Sequence, residues 1–283
     1  MDFSEIEQGV FLRKGRDGGE RRALVVGIHG DERDGPELLD EVLAEPSNWL
    51  GPSLGDFLLV AGNPPALAVG ERTAPGGLDL NRMFGESIPE EAVGSAEASR
   101  AALLKEHLTG LDCLLDLHQT SVPGSSMAVA ADSERHLGLA VDLGLDVGVL
   151  GMERIFGPVM LAQWFDTTGG LGLTVETGQR GTPGSKGVCR QVFEHFLRGQ
   201  TAAGRSSLSL LRVFQLVKTP GREFCFTRPL HNGSSVTKGE LIGVSVAGPF
   251  HAPETGTVLL PAERRPVGAP CMMLASSGLW SST

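Results

Sequence analysis

Through its first two thirds the chain alternates short apolar runs with amphipathic stretches, and no other feature restricts its fold as much. Residues 23–28, 57–60, 111–117 and 171–175 are runs of strand length, nearly all apolar. A run buried on both sides marks a strand of a parallel sheet, because crossover helices cover both faces of such a sheet. Between these runs, Leu38, Leu39, Val42 and Leu43 share one side of a helix, and Val188, Val192, Phe193, Phe196 and Leu197 share one side of another. Asp34, with Glu37 three positions on, reads as a capping box opening the first of them. Residues 96–108 and 134–143 suit further helices, and 127–131 a further short strand. The expectation is an α/β fold: a mixed, largely parallel sheet with helices on both faces. Ligands of such sheets sit at the carboxyl ends of the strands.

The pattern changes after residue 204. Residues 213–218, 224–227, 240–246 and 256–260 are short alternating segments separated by Pro and Gly turns, which reads as a small C-terminal antiparallel β module. Two domains are expected, 1–204 with the chemistry and 205–283 with the β module. A net charge of −10 argues against nucleic acid as a partner, since phosphate binding needs clustered Lys and Arg. No apolar run approaches the about 18 residues of a membrane span, and the acidic start lacks the apolar core of a signal peptide. Cys113, Cys189, Cys225 and Cys271 form no CxxC pair and read as reduced thiols. A cytoplasmic location is therefore expected.

The segment GIHGDERDG, residues 27–35, follows the first apolar run and places His29 and Glu32 three positions apart on a tight turn. An imidazole and a carboxylate so placed can share one Zn²⁺. The pair is a weak signal alone, because His251 and Glu254 repeat the spacing around a proline. His118 closes the run 111–117 and so reaches the same sheet edge; it reads either as a third ligand or as a packed histidine. Asp116, two residues earlier and on the same strand face, could orient that imidazole. Glu176 ends the run 171–175 before a glycine-rich loop and suits either a general base or a loop-bonding carboxylate. Asn63, Arg72, Asn81 and Arg82 fall in a Gly/Pro-rich stretch with little regular structure. They suit an anionic substrate, or else the arginines pair with Glu71 and Asp79. His107, His136, His195 and His231 read as structural or exposed, and there is no nucleophile elbow, phosphate loop or dinucleotide fingerprint.

In order along the chain, GIHGDERDG, GNPPALAVGERTAPGGLDLNRMF, LLDLHQT and LTVETG resemble the succinylglutamate desuccinylase/aspartoacylase family, zinc hydrolases related to the zinc carboxypeptidases. The resemblance implies a zinc carboxypeptidase-like fold and one Zn²⁺ per chain held by His29, Glu32 and His118. It implies Glu176 as general acid/base, Arg72 as the group polarising the scissile carbonyl, and Asn81 and Arg82 as the grip on a substrate carboxylate. The implied reaction removes an acyl group from a small anionic N-acyl amino acid; a homo-oligomer is left open. Two departures stand out. The chain has no tyrosine, where relatives place one at the substrate, and residues 155–179 contain no Arg or Lys, where aspartoacylase has a carboxylate-binding arginine. Gln163 and Trp164 are expected to line that side instead. A zinc carboxypeptidase acting on small peptides, and a non-catalytic metal-binding protein of the same fold, are the alternatives.

Overall fold

The computed structural model describes residues 2–51, 55–202 and 206–281. The strand Cys113–Thr120 lies at its centre, buried at every position. Arg22–Val26 and Leu171–Gln179 run parallel on either side of it, and Phe57–Ala61 is parallel to Arg22–Val26 on the far side. Side chains alternate between two cores. Leu24, Leu115 and Leu173 face the helices Asp34–Ala44 and Pro183–Arg198, with Leu38, Val42, Phe193 and Phe196 among the packed residues. Val25 and Leu114 face Ala96–Leu108 and Leu161–Thr167. Both sides of these strands are covered, which is why their sequences read as unbroken apolar runs.

The sheet becomes mixed beyond Leu171–Gln179. Met127–Val129 pairs antiparallel to that strand and parallel to Val147–Leu150, which in turn is parallel to Ser207–Lys218. Pro270–Ser281 then pairs antiparallel along nearly the whole of Ser207–Lys218, followed by Gly256–Leu259 and Ser235–Val236. Among the described residues these strands form one continuous sheet, while Cys225–Phe226, Leu241–Ser245 and Gly248–His251 make a small separate antiparallel sheet. A separate core of Val217, Phe224, Ile242, Val258 and Met272 fills the space under the latter. The expected boundary at residue 204 falls outside the described residues. Among those described, no helix is long and apolar enough to cross a membrane.

Several local expectations change. Asp34 does not cap its helix: it is the first helical residue, buried, and accepts a hydrogen bond from Gln119 Nε2 at 2.7 Å. The central strand runs on to Thr120 and its neighbour to Gln179, so His118 and Glu176 lie within strands and are direct register partners. Asn63 opens a short helix, Pro64–Val69, in a stretch read as irregular. The long strand Pro270–Ser281 lacked any period-2 signal clear enough to find, because its exposed half reads Ser-Ser-Gly.

Candidate metal centre

Residues 27–35 form the turn at the carboxyl end of Arg22–Val26, and two glycines decide its path. Gly27 takes φ +66°, a conformation that L side chains rarely adopt. Gly30 packs so tightly on the helix Pro64–Val69 that an added Cβ would lie 2.0 Å from the carbonyl oxygen of Ala66. The turn presses His29 and Glu32 against the end of the central strand, 86 residues further along the chain.

One nitrogen each of His29 and His118 and one oxygen of Glu32 lie within 4.8 Å of one another, and all three residues are buried. Glu32 bridges the rings: Oε1 is 2.7 Å from His29 Nδ1 and Oε2 is 3.0 Å from His118 Nδ1. Each ring has a second carboxylate behind it. His118 Nε2 lies 2.9 Å from Asp116 Oδ2, and His29 Nε2 lies 3.1 Å from Asp79 Oδ1. Without a cation, Nδ1 of each ring can donate to Glu32; a cation at the common centre would instead meet the Nδ1 lone pairs, with each Nε2–H donating outward to its carboxylate. Burial alone would lower the pKa of both imidazoles, but Glu32 and Asp79 outweigh it at His29, and Asp116 and Glu32 do so at His118, so both are raised. Burial would raise Glu32, yet the two imidazoles hold it far below the usual carboxylate range. The two imidazole shifts favour positive charge at the centre and the Glu32 shift keeps its carboxylate ionised, and the donor set suits a single divalent cation such as Zn²⁺.

The centre opens into a cavity of about 480 Å³, lined by Glu176, Arg72, Asn81, Arg82, Gln163 and Arg180 as well as by the three ligand candidates. Burial is the main cause pushing the Glu176 carboxyl up to about 7, and its Oε2 has no hydrogen-bond partner among the described residues. Arg72 donates to Asp79 Oδ2 at 2.8 Å, so Asp79 links the guanidinium to His29. Arg82 donates to the Asn81 carbonyl at 2.8 Å and stacks 5.4 Å from the centre of the Phe156 ring. Asn81 Oδ1 accepts from the Leu161 backbone N–H at 2.9 Å. Its Nδ2 stands 3.3 Å from His118 Nε2, whose proton already serves Asp116, so the amide keeps a donor for the cavity.

Two residues named from the sequence lie elsewhere. Asn63 does not line the cavity: its Oδ1 caps the helix Pro64–Val69 by accepting from Ala66 N at 3.4 Å. Trp164 packs among Phe84, Phe165 and Lys105, while its neighbour Gln163 reaches the cavity with Oε1 buried and unpartnered among the described residues. The His251–Glu254 repeat is an exposed surface pair, with Glu254 bound to Lys238 at 2.8 Å. Sequence reasoning missed the part played by Asp79, which it took for a surface counter-ion. It also missed Gln119, whose backbone N–H donates to Glu32 Oε2 at 3.2 Å while its amide joins Asp34 and Ser185 at 2.7 Å each. A polar Gln directly after the His of an otherwise apolar strand was the available signal.

Known proteins resemble the chain in sequence and in fold. Over residues 18–203 the chain matches the succinylglutamate desuccinylase/aspartoacylase catalytic domain. A probable aspartoacylase of Prochlorococcus marinus is 34% identical over 133 residues, 44% of this chain and 43% of that protein, so the match spans less than half of the relative's length. Among solved structures, a succinylglutamate desuccinylase of Vibrio parahaemolyticus has a TM-score of 0.74 at 18% identity, covering 97% of this chain and 90% of that one. A succinylglutamate desuccinylase/aspartoacylase of Rhodobacter sphaeroides has a TM-score of 0.72 at 20% identity, covering 95% and 88%. At such identities the structural likeness speaks for the fold.

Proposed function

The chain belongs to the succinylglutamate desuccinylase/aspartoacylase family, and from that premise we propose that it is a zinc-dependent amidohydrolase removing an acyl group from a small anionic N-acyl amino acid. The observation that carries the reading is the cavity, on which two imidazoles and a carboxylate within 4.8 Å of one another meet the buried Glu176 carboxyl and several guanidinium groups. His29, Glu32 and His118 would hold one Zn²⁺. When bound, zinc supplies Lewis acidity, polarising the scissile carbonyl and acidifying water toward neutrality.

The protein's own side chains account for the rest. Arg82, with the free N–H of Asn81, orients a substrate carboxylate by charge-assisted hydrogen bonds. Arg72 is held by Asp79 at 2.8 Å and donates to the carbonyl oxygen as negative charge builds there. Glu176 Oε2, buried and without a hydrogen-bond partner among the described residues, accepts a proton from the attacking water and returns it to the departing nitrogen. The amide bond breaks, and a carboxylic acid and an amine leave. Residues of the C-terminal strands, among them Leu216, Met272 and Met273, wall one side of the cavity, which favours small substrates over long peptides.

The test is elemental analysis of the purified protein followed by a panel of N-succinyl, N-acetyl and N-formyl amino acids. About one zinc per chain and hydrolysis of at least one panel member are expected. Protein that retains no metal and hydrolyses none of them would remove the reading.

A further inference from the structure

Gln119 follows His118 on the central strand, so its side chain points to the opposite face, toward the helices Asp34–Ala44 and Pro183–Arg198. An amide buried there must meet partners at both ends, and this one meets three partner atoms. Its Oε1 accepts from Asp34 N at 3.2 Å, while its Nε2 donates to Asp34 Oδ2 and to Ser185 Oγ at 2.7 Å each. These contacts fix which end of the amide is oxygen, since the Asp34 N–H needs an acceptor and the Asp34 carboxylate a donor. Ser185 Oγ lies 3.0 Å from Thr177 Oγ1, which lies 3.2 Å from the His118 carbonyl oxygen. A carbonyl cannot donate, so the Thr177 proton goes to His118 and the Ser185 proton to Thr177. The hydrogen bonds from the Gln119 amide to His118 therefore all run in one direction, and bonds aligned in this way strengthen one another.

The sheet is irregular just where this chain of bonds crosses it. Opposite Gln119 the strand Leu171–Gln179 carries one extra residue: His118 pairs with Glu176, but Thr120 pairs with Gln179. Bulges of this kind re-aim side chains beside functional sites. Gly178, inside the bulge, takes φ +117°, which a residue with a side chain rarely adopts. Thr177, directly before it, is the residue whose hydroxyl reaches the His118 carbonyl. Asp34, Gln119, Thr177 and Ser185 are all buried, although each is polar and all but Gln119 and Thr177 come from different elements.

Gln119 also touches the ligand candidates themselves. Its backbone N–H donates to Glu32 Oε2 at 3.2 Å, the oxygen that stands 3.0 Å from His118 Nδ1. Through Asp34 its amide grips the end of the turn that carries His29 and Glu32. We infer that Gln119 is the positioning residue of the metal centre: its amide ties the ligand turn to the strand bearing His118 and so sets how Glu32 and the two imidazoles meet one cation. The inference rests on the centre binding zinc, as proposed above.

Zinc affinity, measured by competition with a chromophoric chelator, tests it in the full chain and in two variants. Gln119→Met keeps the length and removes the amide; Thr177→Val keeps the shape and removes the hydroxyl. Each is expected to weaken zinc binding by about 10- to 100-fold, the usual loss when a group supporting a metal ligand is removed. Together they should weaken it by clearly less than the product of the single effects, because both break the same chain of bonds. Cobalt(II) bound in place of zinc should show visible bands displaced from those of wild type in both variants. A merely structural role would lower the melting temperature of the metal-free protein and move neither the affinity nor the bands. Zinc affinities within about twofold of wild type, unchanged cobalt bands, or a double variant that shows the full product overturns the inference. Should Gln119→Met fail to fold, the affinity and bands of Thr177→Val decide. The acyl amino acid panel separates the two readings. Hydrolysis by wild type, with zinc affinity unmoved in the variants, removes the role of Gln119 and keeps the hydrolase. Zinc weakened in the variants, with no substrate hydrolysed by wild type, keeps Gln119 and removes the hydrolase. A wild-type protein that binds no zinc removes both.

Discussion

Glu176 can act as a base only when ionised, and burial places its carboxyl near pH 7. The raised value means that the basic form is populated above it and lost as pH falls through it, so kcat/KM is expected to drop on the acid side. A cation at the centre favours the ionised form and moves this limb downward, to about pH 7 or below. Glu176→Gln should keep its zinc while kcat falls by about 10²- to 10⁴-fold, the usual contribution of a general acid/base. The same variant should lose the acid limb; a limb that persists belongs to another group. Arg82→Ala should raise KM by about tenfold or more with a smaller change in kcat, because a carboxylate grip acts equally on ground and transition states. An unchanged KM would take Arg82 out of the substrate's reach. At this scale much was legible. His29, Glu32, His118 and Glu176 each followed an apolar run, and a charged or ring side chain at the end of a buried strand has few purely structural uses. Asn63 misled because a helix cap and a substrate donor look alike in sequence: both are an Asn before a turn.

Elements place these side chains through register. Val26, Leu117 and Val175 lie level across three parallel strands, so residues just beyond them reach one edge together. Asp116 faces the same side as His118, a buried acid in an apolar strand that makes sense only with a partner on that face. The turn bearing His29 and Glu32 depends on Gly30, where an added Cβ would meet the backbone of Ala66 and Glu71 rather than a yielding side chain. Gly30→Ala must move the turn or the helix Pro64–Val69, at a cost of about 1–3 kcal/mol or more. In a chain of this size that corresponds to a melting temperature lower by about 2–4 °C per kcal/mol. Because the turn carries two ligand candidates, zinc content should fall as well. A variant with wild-type stability and full zinc would show that the backbone yields there. Helices and central strands were readable from periodicity. The capping box at Asp34 was not, since Gln119 from another strand claims that carboxylate.

On the scale of the whole molecule, the ligand candidates come from segments 86 residues apart, so only the folded chain brings them together. A cation that binds folded but not unfolded protein stabilises the former by about 2.7 kcal/mol at a hundred times its dissociation constant. Stripping zinc with a chelator should therefore lower the melting temperature by several degrees, and restored zinc should recover it; a melting curve indifferent to zinc would mean that the centre holds none. The sheet joins what sequence suggested was separate. Ser207–Lys218 pairs with Val147–Leu150 on one side and Pro270–Ser281 on the other, so the C-terminal strands stand beside the site and wall its cavity. The sequence by itself determined the alternation of strands and helices, the ligand turn and the ends of the parallel strands, because hydrophobic period and turn chemistry act between residues a few positions apart. Tertiary structure alone decided the order of strands, the pairing of Asp79 with His29 and the walling of the cavity by Leu216 and Met273 of the C-terminal strands. Those depend on contacts between distant segments, and no local pattern records which distant partner a side chain will meet.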